Sequence, residues 1–97
     1  MATYIVLANF TEQGIRNVKD TVKRAEAFKE AAAKLGVTVK DLYWTLGRYD
    51  FVVTVEAPDD PSVTALGLAL GAMGNVRTQT LRAFGAGEMK QIIDKMA

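Results

Sequence analysis

The sequence predicts an α+β fold, with two helices laid over one face of a four-stranded antiparallel sheet. Three observations predict it: four short runs rich in β-branched and aromatic residues, two stretches whose apolar residues recur at helical spacing, and the interleaving of these in the order β-α-β-β-α-β.

The first strand is Tyr4-Ile5-Val6-Leu7-Ala8-Asn9-Phe10, a run too short for a buried helix, and Thr11-Glu12-Gln13-Gly14 after it reads as a turn. From Asp20 to Leu35 the residues Val22, Ala25, Phe28, Ala32 and Leu35 recur at steps of three and four, so they share one helical face. Asp20 or Thr21 is placed to cap that helix, and Gly36 stands where a left-handed terminating residue is wanted. Val37 to Leu46 is the second strand, with Leu42, Trp44 and Leu46 on one side and Tyr43 and Thr45 on the other. Asp50 to Ala57 is the third, alternating Phe51, Val53 and Val55 with Val52, Thr54 and Glu56. The short Gly47-Arg48-Tyr49 link forces these two into a hairpin.

Pro58-Asp59-Asp60-Pro61 breaks the pattern, and Asp60 before Pro61 gives the cap-then-proline order that opens a helix. That second helix runs to Met73, with Val63, Leu66, Leu70 and Met73 on its main face and little polar surface opposite. Gly74-Asn75 ends it, and Val76 to Phe84 is a fourth, more polar strand. Met89, Ile92, Ile93 and Met96 mark a short amphipathic tail helix. The whole is the ferredoxin-like βαββαβ arrangement with an added C-terminal helix, read as one domain over residues 1–97.

Composition narrows the function. With no histidine and no cysteine, the chain lacks the commonest metal ligands and the usual general base, so no metal or cofactor is expected and enzymatic readings lose weight. Twelve Lys and Arg balance eleven Asp and Glu, which gives no electrostatic case for nucleic acid. No apolar run reaches the ~18 residues of a membrane span. The N-terminus passes straight into a strand without a secretory pattern, and the expected location is cytoplasmic.

A sheet with one face in water should alternate apolar and polar residues, yet Ile5, Leu7, Tyr43 and Val52 stand opposite the strands' main apolar sets. Burying one large apolar side chain contributes ~1.5–3 kcal/mol, so a small domain is expected to cover such a face. The tail helix could shield part of it. A second copy, sheet against sheet, is the simplest cover, and a homodimer or larger homo-oligomer is expected.

The stretch Tyr43-Trp44-Thr45-Leu46-Gly47-Arg48-Tyr49-Asp50-Phe51-Val52-Val53, continuing into Glu56-Ala57-Pro58-Asp59-Asp60, resembles the signature segment of the GYD domain family. Phe10 to Asn17 and Gly74 to Phe84 resemble that family's flanking segments, so the likeness spans nearly the whole chain. It implies a ferredoxin-like fold of the dimeric α+β barrel kind, in a functionally uncharacterised family. More distantly, the Gly-Arg-Tyr-Asp-Phe hairpin resembles the effector-binding domain of Lrp/AsnC regulators, which bind small molecules at oligomer interfaces. No helix-turn-helix accompanies it in this chain.

Candidate site residues cluster at the hairpin. Arg48 suits a bidentate grip on an anion, Tyr49 a hydrogen-bond donor, and Asp50 an acceptor or base. Turn chemistry accounts for the same residue types: Gly47 permits the turn, Tyr49 packs, and Asp50 accepts backbone N–H bonds. Trp44 and Tyr43 are suited to wall an apolar pocket or to serve as core or interface. Arg77 and Arg82 lie on opposite faces of the fourth strand, and either could meet a carboxylate. The leading expectation is a homo-oligomeric small-molecule-binding or accessory module, its ligand held between sheet and helices by Tyr49, Asp50, Arg48 and Trp44. The alternatives are a cofactor-independent enzyme of monooxygenase or isomerase type, with Asp50 or Tyr49 as base, and a purely structural assembly unit.

Overall fold

Stiff β-branched and aromatic side chains favour extended backbone, and they build β1 (Ala2–Phe10), β2 (Thr38–Trp44), β3 (Phe51–Ala57) and β4 (Val76–Ala83). A computed structural model, describing residues 1–96, joins them in one sheet of order β2-β3-β1-β4 with every neighbouring pair antiparallel. The helices are α1 (Glu12–Arg16), α2 (Thr21–Lys34), α3 (Asp60–Ala72) and α4 (Ala86–Asp94), with a 3₁₀ turn at Val18–Asp20 before α2.

The segment read as a turn after β1 is therefore a short helix. Thr11 caps it by accepting a hydrogen bond from the Gly14 N–H at 3.1 Å. The cap of α3 is Asp59 rather than Asp60: Asp59 is extended, and its carboxylate accepts from the Ser62 N–H at 2.8 Å. Pro61 then falls in the first turn, where its missing N–H costs nothing. Strand β2 stops at Trp44, because the Thr45 N–H turns inward to the Asp50 carbonyl at 2.8 Å and closes the loop. Leu46, expected on the strand's apolar side, sits in that loop fully exposed. Gly47 has φ +101°, the left-handed backbone that the turn requires of it.

On the helix side the register aligns Tyr4 with Val55 and Val6 with Val53, and these pack against Ala32, Val37, Val63 and Leu66 as the core. An irregularity between Val39 and Asp41 lets Val39 and Leu42, three residues apart, oppose Val55 and Val53 on this same side. The Tyr4 hydroxyl donates to the Asp60 carboxylate, tying the start of α3 to the central strand.

The other side carries Ile5, Leu7, Val52, Tyr43 and Leu81 among Thr3, Asn9, Thr54 and Gln79. Neither α2 nor α3 reaches it, and α4 does not shield it as the sequence allowed. Instead α4 stands off the body, tied to β4 by Arg82 and Glu88 at 3.0 Å, with Met89, Ile93 and Met96 exposed. The radius of gyration, 14.6 Å against the ~13 Å of a compact domain of this length, reflects that extension. Helix α3 is likewise covered on one side only. Val63 and Leu66 are buried while Leu68 faces out.

Candidate functional site

Alanine is a strong helix former, but its side chain is too short to bridge two packed helices. Where α2 offers Ala25, Ala27 and Ala31 and α3 offers Ala69, the two helices leave between them a cleft of about 320 Å³. The sheet forms its floor with Phe10, Trp44 and Phe51, the two phenylalanine rings 5.7 Å apart and tilted by 48°. Phe28, Leu42, Leu66, Leu70, Met73 and Val76 complete its apolar lining.

Three lining residues carry polar side chains of another kind: Thr21, Arg24 and Asn75. The Thr21 hydroxyl accepts the Trp44 indole N–H at 3.0 Å, which ties the indole to the start of α2. Arg24 donates to the Asn17 carbonyl at 3.1 Å from one terminal nitrogen, and among the described residues no carboxylate pairs with its guanidinium. The Asn75 side-chain oxygen accepts from Gln13 at 3.0 Å, while its backbone carbonyl accepts from the Thr11 N–H at 3.0 Å. The lining contains no acidic residue and no tyrosine.

Of the residues singled out in the sequence, Trp44 enters this cleft and the others do not. Asp50 is half-buried immediately before β3, where its carboxylate accepts from the Phe10 N–H at 2.8 Å and its own N–H bonds the Ala8 carbonyl at 2.8 Å. The carboxylate thus extends the β1–β3 ladder. Tyr49 lies toward the opposite face of the sheet and donates to Gln79 on β4 at 3.2 Å, with the Arg48 guanidinium 5.8 Å from its ring centroid. Tyr43 and Arg77 share that face, both exposed. Arg48, Tyr49, Tyr43 and Arg77 are therefore grouped on one side of the sheet and Trp44 on the other, so one ligand cannot meet them all within a single protomer.

Sequence reasoning missed Arg24, Thr21 and Asn75. The available signal was the alanine content of both helices facing a floor of aromatics, a pattern that leaves volume unfilled. The perturbed carboxylates lie elsewhere. Hydrogen bonds from Ser62 hold Asp59 below the usual carboxylate range, and the bond from Arg82 does the same for Glu88. The Tyr4 phenol is raised by its hydrogen bond to Asp60. No group of three or more metal-ligating side chains occurs among the described residues, and no helix there is long and apolar enough to cross a membrane.

The model of the GYD domain matches residues 4–93. A Thermus thermophilus protein named glutamine synthetase and cystathionine beta-lyase binding protein is 38% identical over 90 residues, covering 92% of this chain and 95% of that protein. The crystal structure of TTHA0845, also from Thermus thermophilus, is 30% identical, with a TM-score of 0.54 over 89% of this chain and 96% of its own. A crystal structure of an FFRP protein shares the fold, with a TM-score of 0.61 over 87% of this chain and 100% of its own at 23% identity. The family match over nearly the full length, on a four-stranded antiparallel sheet, establishes that the chain belongs to the GYD domain family.

Proposed function

We propose that this chain is a homo-oligomeric accessory module that holds a small molecule in the cleft between α2, α3 and the sheet. The observation that carries this reading is the composition of the cleft: aromatic and aliphatic walls, a few polar tips, and a volume at the small end of the range of ligand sites. Binding is favoured over catalysis because a base is missing where a substrate would sit. Asp50 is occupied with the β1 backbone and Tyr49 lies across the sheet, which leaves Arg24, Thr21 and Asn75 as the cleft's polar groups. Oligomerisation is supported by Ile5, Leu7, Val52, Tyr43 and Leu81 on a sheet face that no described helix packs across.

Native mass spectrometry of freshly purified protein tests the reading. The expected spectrum shows an assembly of chains carrying a small-molecule mass that is lost on denaturation. A bare chain, unchanged by gentle or harsh ionisation and unable to take up added apolar ligands, would overturn it.

The name of the relative favours a second, compatible reading: an accessory module with enzymes as partners. On it, this chain binds glutamine synthetase from its own organism. Analytical gel filtration of the two purified proteins should show co-elution, and separate elution at micromolar concentration would remove this extension.

A further inference from the structure

We propose that the cleft selects an apolar monocarboxylate and that Arg24 is the residue that anchors its anionic end. This inference rests on the reading of the cleft as a ligand site and adds the class of ligand. Each of the three polar side chains at the cleft has a donor to offer, and one of them carries a positive charge. Arg24 is a permanent cation with one terminal nitrogen satisfied by Asn17 and the rest of its fork free of carboxylates among the described residues. Thr21 already accepts from Trp44, and its hydroxyl proton remains to be donated. Asn75 has its side-chain oxygen engaged by Gln13, which leaves its amide N–H groups.

A cationic head group would be repelled by Arg24 and a neutral one would leave its charge uncompensated, whereas a carboxylate neutralises Arg24 and can accept from Thr21 and Asn75 as well. The remainder of the lining is apolar, and Phe10, Phe28, Phe51 and the indole of Trp44 suit an aromatic or branched hydrocarbon body. The absence of Asp and Glu from the lining means that no like charge opposes the anion. Charge-assisted bonds of this kind in a partly dry site are strong enough to dominate selectivity.

Trp44 is the sole tryptophan of the chain and lines the cleft, so its fluorescence and its indole N–H resonance report occupancy directly. The test titrates 4-phenylbutyrate and its neutral counterpart 4-phenylbutyramide into the full-length protein. The expected result is binding of the acid at least about tenfold tighter than the amide. Arg24→Met should abolish that preference by weakening the acid far more than the amide, and Arg24→Lys should keep part of it. Circular dichroism of each variant shows that the fold is intact, and Arg24→Lys carries the test if Arg24→Met does not fold. Equal affinity for acid and amide would overturn the anion-anchoring role and leave the cleft a ligand site. Failure of both compounds, with Trp44 unresponsive at millimolar concentration, would remove the ligand-site reading as well.

Discussion

Replacing Gly14 by alanine tests whether α1 is held against the start of β4 as tightly as the structure requires. Gly14 is buried, and a Cβ built on it would lie 1.9 Å from the Asn75 carbonyl oxygen. Ordinary nonbonded contact begins near ~3.5 Å, so the two backbones have to part by more than an ångström. That movement breaks the Thr11 N–H bond to the same Asn75 carbonyl, 3.0 Å, and strains the Thr11 hydroxyl bond to Gly74 at 2.6 Å. Overpacking costs ~1–3 kcal/mol and a lost hydrogen bond ~0.5–1.5 kcal/mol, which together give a destabilisation of about 3 kcal/mol. At ~4–8 °C per kcal/mol for a domain of this size, thermal unfolding followed by circular dichroism should fall by about 10–25 °C. The control is Gly67→Ala or Gly71→Ala. Both residues are interior to α3 with nothing within 4 Å of the added methyl, so each change should stabilise by ~0.5–1 kcal/mol. A Gly14→Ala protein within ~0.5 kcal/mol of the parent would refute the close approach, since surface changes alone move stability by that much.

Two further predictions concern the core and the helix cap. Val55→Ala, at a site with no solvent exposure in the middle of the sheet, should lower the free energy of unfolding in urea by about 2–3 kcal/mol with an unchanged slope; a loss below ~1 kcal/mol would mean that the site collapses around the deletion. Asp59 should titrate below the ordinary carboxylate value, ~3.9, because the Ser62 hydrogen bonds favour its charged form. Since its folded pKa is depressed, the cap's contribution is complete above the unfolded value and disappears as pH falls through the folded one. Carboxyl-detected NMR should therefore show Asp59 titrating late in an acid series, with Ser62 amide protection lost alongside. A normal or raised value for Asp59 contradicts the cap.

Much of the fold was legible because its signals are local. The alternation in β1 and β3, the glycine of the hairpin and the helical spacing around Phe28 each follow from a few neighbouring residues. Boundaries shifted where side chains compete for the same backbone donors. Asp59 and Asp60 are equivalent as sequence, and only the extended backbone at Asp59 selects it as the cap.

The site was harder to read, because a cleft is a property of what two helices fail to fill. Ala25 reads as part of the apolar face of α2, and nothing within α2 announces that Ala69 of α3 faces the same gap. Arg24 stands outside the apolar set of α2, and its place in the cleft lining depends on the separation of α2 and α3 rather than on its neighbours in sequence. The hairpin residues attracted attention by type, yet the ladder of β1 and β3 takes up Asp50, and the strand's alternation sends Tyr43 and Trp44 to opposite sides.

The account depends above all on a second chain covering the sheet face that carries Ile5, Leu7, Val52 and Leu81. Sedimentation equilibrium of the parent and of Leu7→Asp at micromolar concentration measures this directly. The parent should sediment as a multiple of the 10.5 kDa chain, and Leu7→Asp, with its circular dichroism unchanged, should move to the mass of one chain. A parent protein that stays at 10.5 kDa throughout the concentration range would contradict it.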